Sequence, residues 1–117
     1  MKLLTKMGDE KPWGDFCEIF GVNPRNRILE HFLACDVLEF SIGDVAEETE
    51  LNRATTYNVM GELIKEKFVI PTRKLSGIQL YKLNKNKKEV KILLKAFSMV
   101  LKKILDEYEE EKVKVYA

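Results

Sequence analysis

The sequence predicts a mainly α fold with one small β-hairpin, an α+β domain that ends in a long C-terminal helix. Three observations predict it. Apolar residues recur at helical spacing in separate stretches at about 24–36, 53–67 and 87–109. A single stretch, FVIPTRK and IQLYKLN around Leu75-Ser76-Gly77, reads as a hairpin. The last helical stretch, from Lys87 to about Glu109, is interrupted by neither Pro nor Gly.

At 117 residues the chain is long enough for one domain with its own core. Hydrophobic content of 45% and charged content of 33% fit a globular protein rather than a disordered one. No uncharged apolar run approaches the roughly 18–20 residues that cross a bilayer. The opening MKLLTKMGDE has an apolar patch of two residues and does not read as a secretory signal. A cytoplasmic location away from membranes is the expectation. Acidic side chains are mostly Glu (14 of 19) and basic ones mostly Lys (16 of 20), the bias of thermophiles, archaeal ones among them.

Taken in order, residues 1–22 form an arm broken by Gly8, Pro12 and Gly14. Asp15 is expected to cap a short turn, FCEIF, that stops at Gly21. The arm is expected to be loosely ordered unless Trp13 and Phe16 dock. Asn23-Pro24 starts a helix with a capping side chain and a Pro at the first helical position. DVLEF has the alternation of a short strand. Ser41 and Asp44 fit a capping box ahead of a short helix, IGDVAEET. Glu50-Leu51 makes a turn, and Asn52 caps the helix at 53–67. Pro71 implies that the first hairpin strand has a solvent-facing edge.

Charge is unevenly spread. Residues 52–91 hold ten Lys/Arg and three Glu, a net of +7, while the remainder holds ten basic and sixteen acidic residues, a net of −6. The sum is +1. A basic segment in an otherwise acidic chain is what a polyanion-binding surface requires; a merely solvated basic patch is the alternative.

The run IGDVAEETELNRATTYNVMGELIKEKFVIPTRKLSGIQLYKL, residues 42–83, resembles the winged helix-turn-helix transcription regulators of the MarR, ArsR and TrmB sort. The matching features are the aliphatic-x-x-Val-Ala-x-x-Thr-x-Leu opening and a polar cap with a Thr-rich first turn. Leu63, the Phe68-Val69 exit and a Gly-containing hairpin ending Tyr-x-Leu complete the match. With the flanking helices the likeness covers residues 24–109. Two positions depart from it: Glu50 in the turn and Lys67 at the helix exit stand where Gly is usual. The resemblance implies a DNA-binding domain over 23–86, with 87–117 as dimerisation helix and tail. It also implies that the first turns of helix 53–67 enter a DNA groove.

That helix has Leu51, Met60, Leu63 and Phe68 as its inner stripe, with Val59 or Ile64 at the edges. Arg53, Ala54, Tyr57, Asn58 and Gly61 lie opposite, with Thr55 at the margin. A major groove admits one α-helix, Asn pairs bidentately with adenine and Arg with guanine, and Thr reaches phosphate or the thymine methyl. Ser41, Asn52, Arg53, Thr55, Thr56, Tyr57, Asn58 and Lys65 are the expected contacts to double-stranded DNA. Arg73 and Lys74 are expected near the hairpin tip on phosphate or in the minor groove. Gly61 is expected to permit close approach or to be without a role.

Val90, Leu94, Phe97, Leu101, Ile104 and Tyr108 are spaced as a heptad seam. They are the expected interface of a homodimer. The C-terminal EYEEEKVKVYA is either frayed helix or extended tail. His31 and Cys35, four apart on one helix, together with Cys17 suggest a metal- or thiol-responsive variant, but no fourth ligand is evident, and neither metal nor cofactor is expected. One His, no glycine-rich loop and no carboxylate pair in an apolar setting leave no basis for an enzyme. The remaining rival is a winged helix that contacts a protein partner through residues 53–58.

Overall fold

The computed structural model describes the backbone of residues 11–116 and the side chains of residues 11–109. In chain order these residues form α1 (Asp15–Phe20), α2 (Pro24–Ala34), α3 (Ile42–Thr49), α4 (Arg53–Lys65), β1 (Val69–Leu75), β2 (Ile78–Leu83) and α5 (Lys88–Tyr116). The first ten residues of the expected arm lie outside the described residues.

Three helices begin on the side chains that the sequence offers. The Asn23 Oδ1 accepts from the Asn26 N–H at 2.8 Å, with Pro24 directly behind it. In α3 the box is reciprocal: Ser41 Oγ accepts from the Asp44 N–H at 3.1 Å, and Asp44 Oδ2 from the Ser41 N–H at 3.0 Å. Asn52 Oδ1 accepts from the Thr55 N–H at 2.8 Å to start α4. Each cap satisfies a donor that the first turn leaves without an intrahelical partner.

Both α3 and α4 stop in the same way. Leu51 N–H reaches Ala46 O at 3.2 Å and Glu50 N–H reaches Glu47 O at 3.3 Å. Phe68 N–H reaches Leu63 O at 2.9 Å and Lys67 N–H reaches Ile64 O at 3.1 Å. These are paired Schellman bonds, and they require a left-handed residue after the helix. Glu50 (φ 57°) and Lys67 (φ 64°) occupy that conformation without being Gly. The second exit is held further by Asn84, whose side chain donates to Lys67 O at 2.9 Å and whose N–H donates to Phe68 O at 2.9 Å.

The hairpin closes through Ser76 (φ 50°) and Gly77 (φ 78°), both positive as a type I′ turn demands. Leu75 faces Ile78 and Lys74 faces Gln79, but the next registered pair is Pro71 with Tyr81. Thr72 and Arg73 therefore stand against Leu80 alone, a bulge. β1 pairs with β2 only, so Pro71 lies on an edge strand. On the other side of β2, Phe40 and Tyr81 exchange backbone bonds of 2.8 Å in both directions. The strand expected over DVLEF is reduced to this one bridge. A turn follows α2, with Leu38 N–H bonded to Cys35 O, and leaves Val37 72% exposed, so no alternating buried face exists there.

The core gathers Ile28, Leu29, Phe32 and Leu33 of α2, Val45 of α3 and Met60 and Leu63 of α4. Val69, Leu83, Val90 and Phe97 complete it, with Leu51 and Phe68 packed at its border. The arm helix α1 docks onto this core. Phe16 lies buried, its ring 6.4 Å from that of Phe97. Asp15 does not cap α1: it is the first helical residue, and Gly14 before it has no capping side chain. The acceptor comes from α2 instead. Buried Glu30 takes the Gly14 N–H at 2.7 Å and the Cys17 N–H at 3.0 Å.

The long helix corrects the expected dimer seam. Val90 and Phe97 are buried in the domain's own core, and Leu94 and Leu101 pack partly against it. Only the far part of the seam, Ile104 and Tyr108, faces outward, together with Met99 and Leu105. The helix is 29 residues long and remains helical to Tyr116, so the terminal stretch is not an extended tail. The molecule extends 56 × 30 × 27 Å along its principal axes.

A left-handed L-residue costs about 1–2 kcal/mol, and Gly returns part of that through its larger entropy loss, about 0.5–1 kcal/mol. Lys67→Gly should therefore stabilise the fold by about 0.5 kcal/mol and raise the thermal midpoint by about 2–4 °C. Thermal melts of the two proteins measure this, and a lowered midpoint would show that Lys67 contributes a contact that outweighs its strain.

Candidate nucleic-acid interface

The outward face of α4 is set by its inner one. Thr56, Met60 and Leu63 have no measurable exposure. At the helical period this turns Ala54, Tyr57, Asn58, Gly61 and Lys65 to solvent. Tyr57 is 54% exposed, so its ring is not packed inward. Thr55 is half-buried, as its marginal position implies. Thr56 leaves the expected contact set. Its hydroxyl donates to Asn52 O at 2.8 Å inside the core, where no ligand can reach it.

Arg53 is exposed but does not project straight outward. One of its guanidinium nitrogens would lie 3.1 Å from a Cβ added at Gly43, so the side chain lies across the first turn of α3. Gly43 makes room for it. Ser41, Gly43, Asp44, Ala46, Glu47, Leu51 and Arg53 line an open notch of about 390 Å³ beside the starts of α3 and α4. The structure thus brings Ser41 and Arg53 together, with Ser41 and Asn52 both engaged as helix caps through an acceptor oxygen. Gly43 was not among the residues singled out in the sequence; its place inside the Ser-Ile-Gly-Asp capping box is the signal that could have found it.

The carboxylates of α4 itself are paired from behind. The first turn of α4 holds no acid. Glu62 and Glu66 lie further along, and Arg25 of α2 stands 3.7 Å and 2.8 Å from them. Exposed pairs of this kind add little stability, but they cancel local negative potential. Lys65 is exposed at the far end of the same helix.

On the hairpin the two expected cations differ. Arg73 sits in the bulge rather than at the tip, and its Nε is 3.0 Å from Glu39 Oε2. It is not free in this state. Lys74 is exposed next to the tip and pairs with no carboxylate among the described residues.

Cys17 and Cys35 are buried and unpaired, and His31 packs its ring 4.3 Å from that of Phe40. Burial, aided by Glu30, pushes the Cys17 thiol up to about 12, and burial raises that of Cys35 as well. Burial thus favours the neutral thiol at both positions. Among the described residues no three His, Cys, Asp or Glu side chains group so as to hold a metal. Nor is any described helix long and apolar enough to cross a membrane.

No protein-family model and no curated protein matches the chain. Solved structures do. MepR, a transcription regulator of the Staphylococcus aureus multidrug efflux pump MepA, aligns with a TM-score of 0.57 and 14% identity over 83% of this chain and 70% of its own. A double mutant of Lactococcus lactis ZitR in apo form aligns with a TM-score of 0.57 and 15% identity, over 79% of this chain and 69% of its own. The ferric uptake regulator of Francisella tularensis with iron aligns with a TM-score of 0.50 and 22% identity. This chain spans 58% of that regulator's length, from 58% of its own. The fold is the winged helix-turn-helix. In its terms α3 and α4 are the helix-turn-helix, α4 is the second helix, and β1–β2 is the wing.

Two outcomes test this layout. A Cβ at Gly61 would meet nothing within 4 Å. Gly61→Ala should stabilise α4 by about 1 kcal/mol, visible as a raised denaturation midpoint. A drop would mean that the face is not open there. His31 is largely buried with no partner for its Nε2, and burial holds its imidazole down at about 4. The unfolded chain protonates it below about pH 6.5, so stability is intact above that pH and falls as acid carries it from 6.5 towards 4. His31→Phe should remove on the order of 3 kcal/mol of that acid sensitivity. Denaturant midpoints at pH 7 and pH 4.5 give the comparison, and parallel losses in both proteins would refute it.

Proposed function

We propose that this protein is a dimeric, sequence-specific regulator of transcription that binds double-stranded DNA. One observation carries the proposal: the exposed, acid-free first turns of α4 present Tyr57 and Asn58 outward, with Arg53 exposed at their border, on a rigid helix of the width a major groove admits. The likeness in fold to MepR, described as a transcription regulator, supports it. So does the basic segment, a net of +7 over residues 52–91, whose two carboxylates on α4 are paired by Arg25 and whose third, Glu89, is paired by Lys87.

In this reading Asn58 and Arg53 read base edges, while Thr55, Ser41 and Asn52 stand at phosphates beside the helix start. Tyr57 covers sugar or a thymine methyl, and Lys65 adds charge at the far end. The wing lies on the backbone or in the minor groove, with Lys74 as its available cation. Arg73 joins after exchanging Glu39 for phosphate. The outward part of α5, Met99, Ile104, Leu105 and Tyr108, pairs with a second copy. Two-fold pairing then places two α4 helices on half-sites about 34 Å apart.

Selection of bound duplexes from a random pool supplies the site, with the mass of the protein in solution measured alongside. On that site Arg53→Ala and Asn58→Ala should each reduce discrimination by about 1–3 kcal/mol. Lys74→Ala should weaken binding to every sequence and lower the log–log salt slope by about 0.9. Arg73→Ala should lose less, because its pair with Glu39 is broken on binding. A flat salt dependence would overturn DNA binding in favour of a protein partner at residues 53–58.

A further inference from the structure

We propose that Leu75 and Ile78 form an apolar wedge at the wing tip, which enters the minor groove and parts a base step so that the duplex bends. This rests on the DNA-binding reading above and adds to it a mechanical consequence for the nucleic acid.

The two residues are cross-strand partners, the last registered pair before the turn. Partners directly opposite each other project on the same side of a hairpin with adjacent side chains. Both are large aliphatics left in water, Leu75 at 55% and Ile78 at 57% exposure. Between them Ser76 and Gly77 turn the chain in two residues, and nothing stands within 4 Å of a Cβ built at Gly77. The tip is therefore narrow and unobstructed.

Natural hairpins protect exposed edges with charge and avoid aliphatic tips, because such tips invite aggregation. Here the opposite choice is made at one point only. The neighbouring Lys74 pairs with no carboxylate among the described residues, and Arg73 stands one residue further back. An apolar point behind which cations follow matches a phosphate-walled groove with an apolar slot between its bases. Leu and Ile are among the side chains that minor-groove proteins insert between base steps, which kinks the duplex by about 20–90°. The Ser76-Gly77 turn holds the pair at a fixed separation, so the two side chains enter as one body.

The test uses the full chain and a duplex recovered from the random-pool selection, carrying a fluorescent adenine analogue at each candidate step and a donor–acceptor dye pair at its ends. The wild-type protein should raise the analogue's fluorescence several-fold at one step beside the helix footprint and shorten the end-to-end distance. Leu75→Ser with Ile78→Ser should abolish both signals while leaving the salt slope and the thermal midpoint unchanged. Leu75→Phe should retain them, since an apolar replacement still inserts. Equal bending by the double Ser variant would overturn the wedge. So would a wild-type complex that is tight but straight, which leaves DNA binding itself intact. If the Ser variants alter the mass of the protein and not the bend, the tip is a contact between copies and the wedge is wrong. Failure to bind any duplex would remove the DNA-binding reading and the wedge with it.

Discussion

Met60 and Leu63 are fully buried, and Thr56 is buried beside them, so α4 has no freedom to rotate about its axis. Burying each of the two large side chains contributes about 1.5–3 kcal/mol, and a turn of one residue would return them to water. The outward residues therefore need no contacts of their own to hold direction. Asn58 and Lys65 fall opposite the buried stripe. Arg53 falls nearer its border, which is why it meets Gly43 of the neighbouring helix. The whole presentation of α4 follows from three inward side chains.

The ends of the helices serve the same constraint. A helix fixed in rotation must also be fixed along its axis, and here both ends of α3 and the start of α4 are bonded by local groups. Glu50 and Lys67 accept a left-handed backbone because each lets two orphan carbonyls find donors. The Phe40–Tyr81 bridge then ties the wing to the segment ahead of α3, so the two parts of the candidate interface share one frame.

Local signals proved legible where the chemistry is local. Asn23, Ser41 and Asn52 announce helix starts because their oxygens bond within three residues. The Ser76-Gly77 turn is equally plain, since few residues accept positive φ twice in succession. What escaped the sequence depends on partners far away in the chain. DVLEF alternates like a strand but meets only Tyr81. Thr56 looks like another polar residue in a polar turn until α4's rotation places it inside. The heptad of α5 shows an apolar stripe without saying whose core it fills; Val90 and Phe97 fill their own. Arg73 reads as a free cation because Glu39 lies 34 residues earlier.

Glu30 carries a consequence for how the chain can be cut or rearranged. Its carboxylate is buried and accepts from backbone donors of the arm, at Gly14 and Cys17. Peeling that segment away would take two donors from this carboxylate, at a cost of about 1–3 kcal/mol. The first helix is thus tied into the core through that one side chain, and the two should melt together in one step.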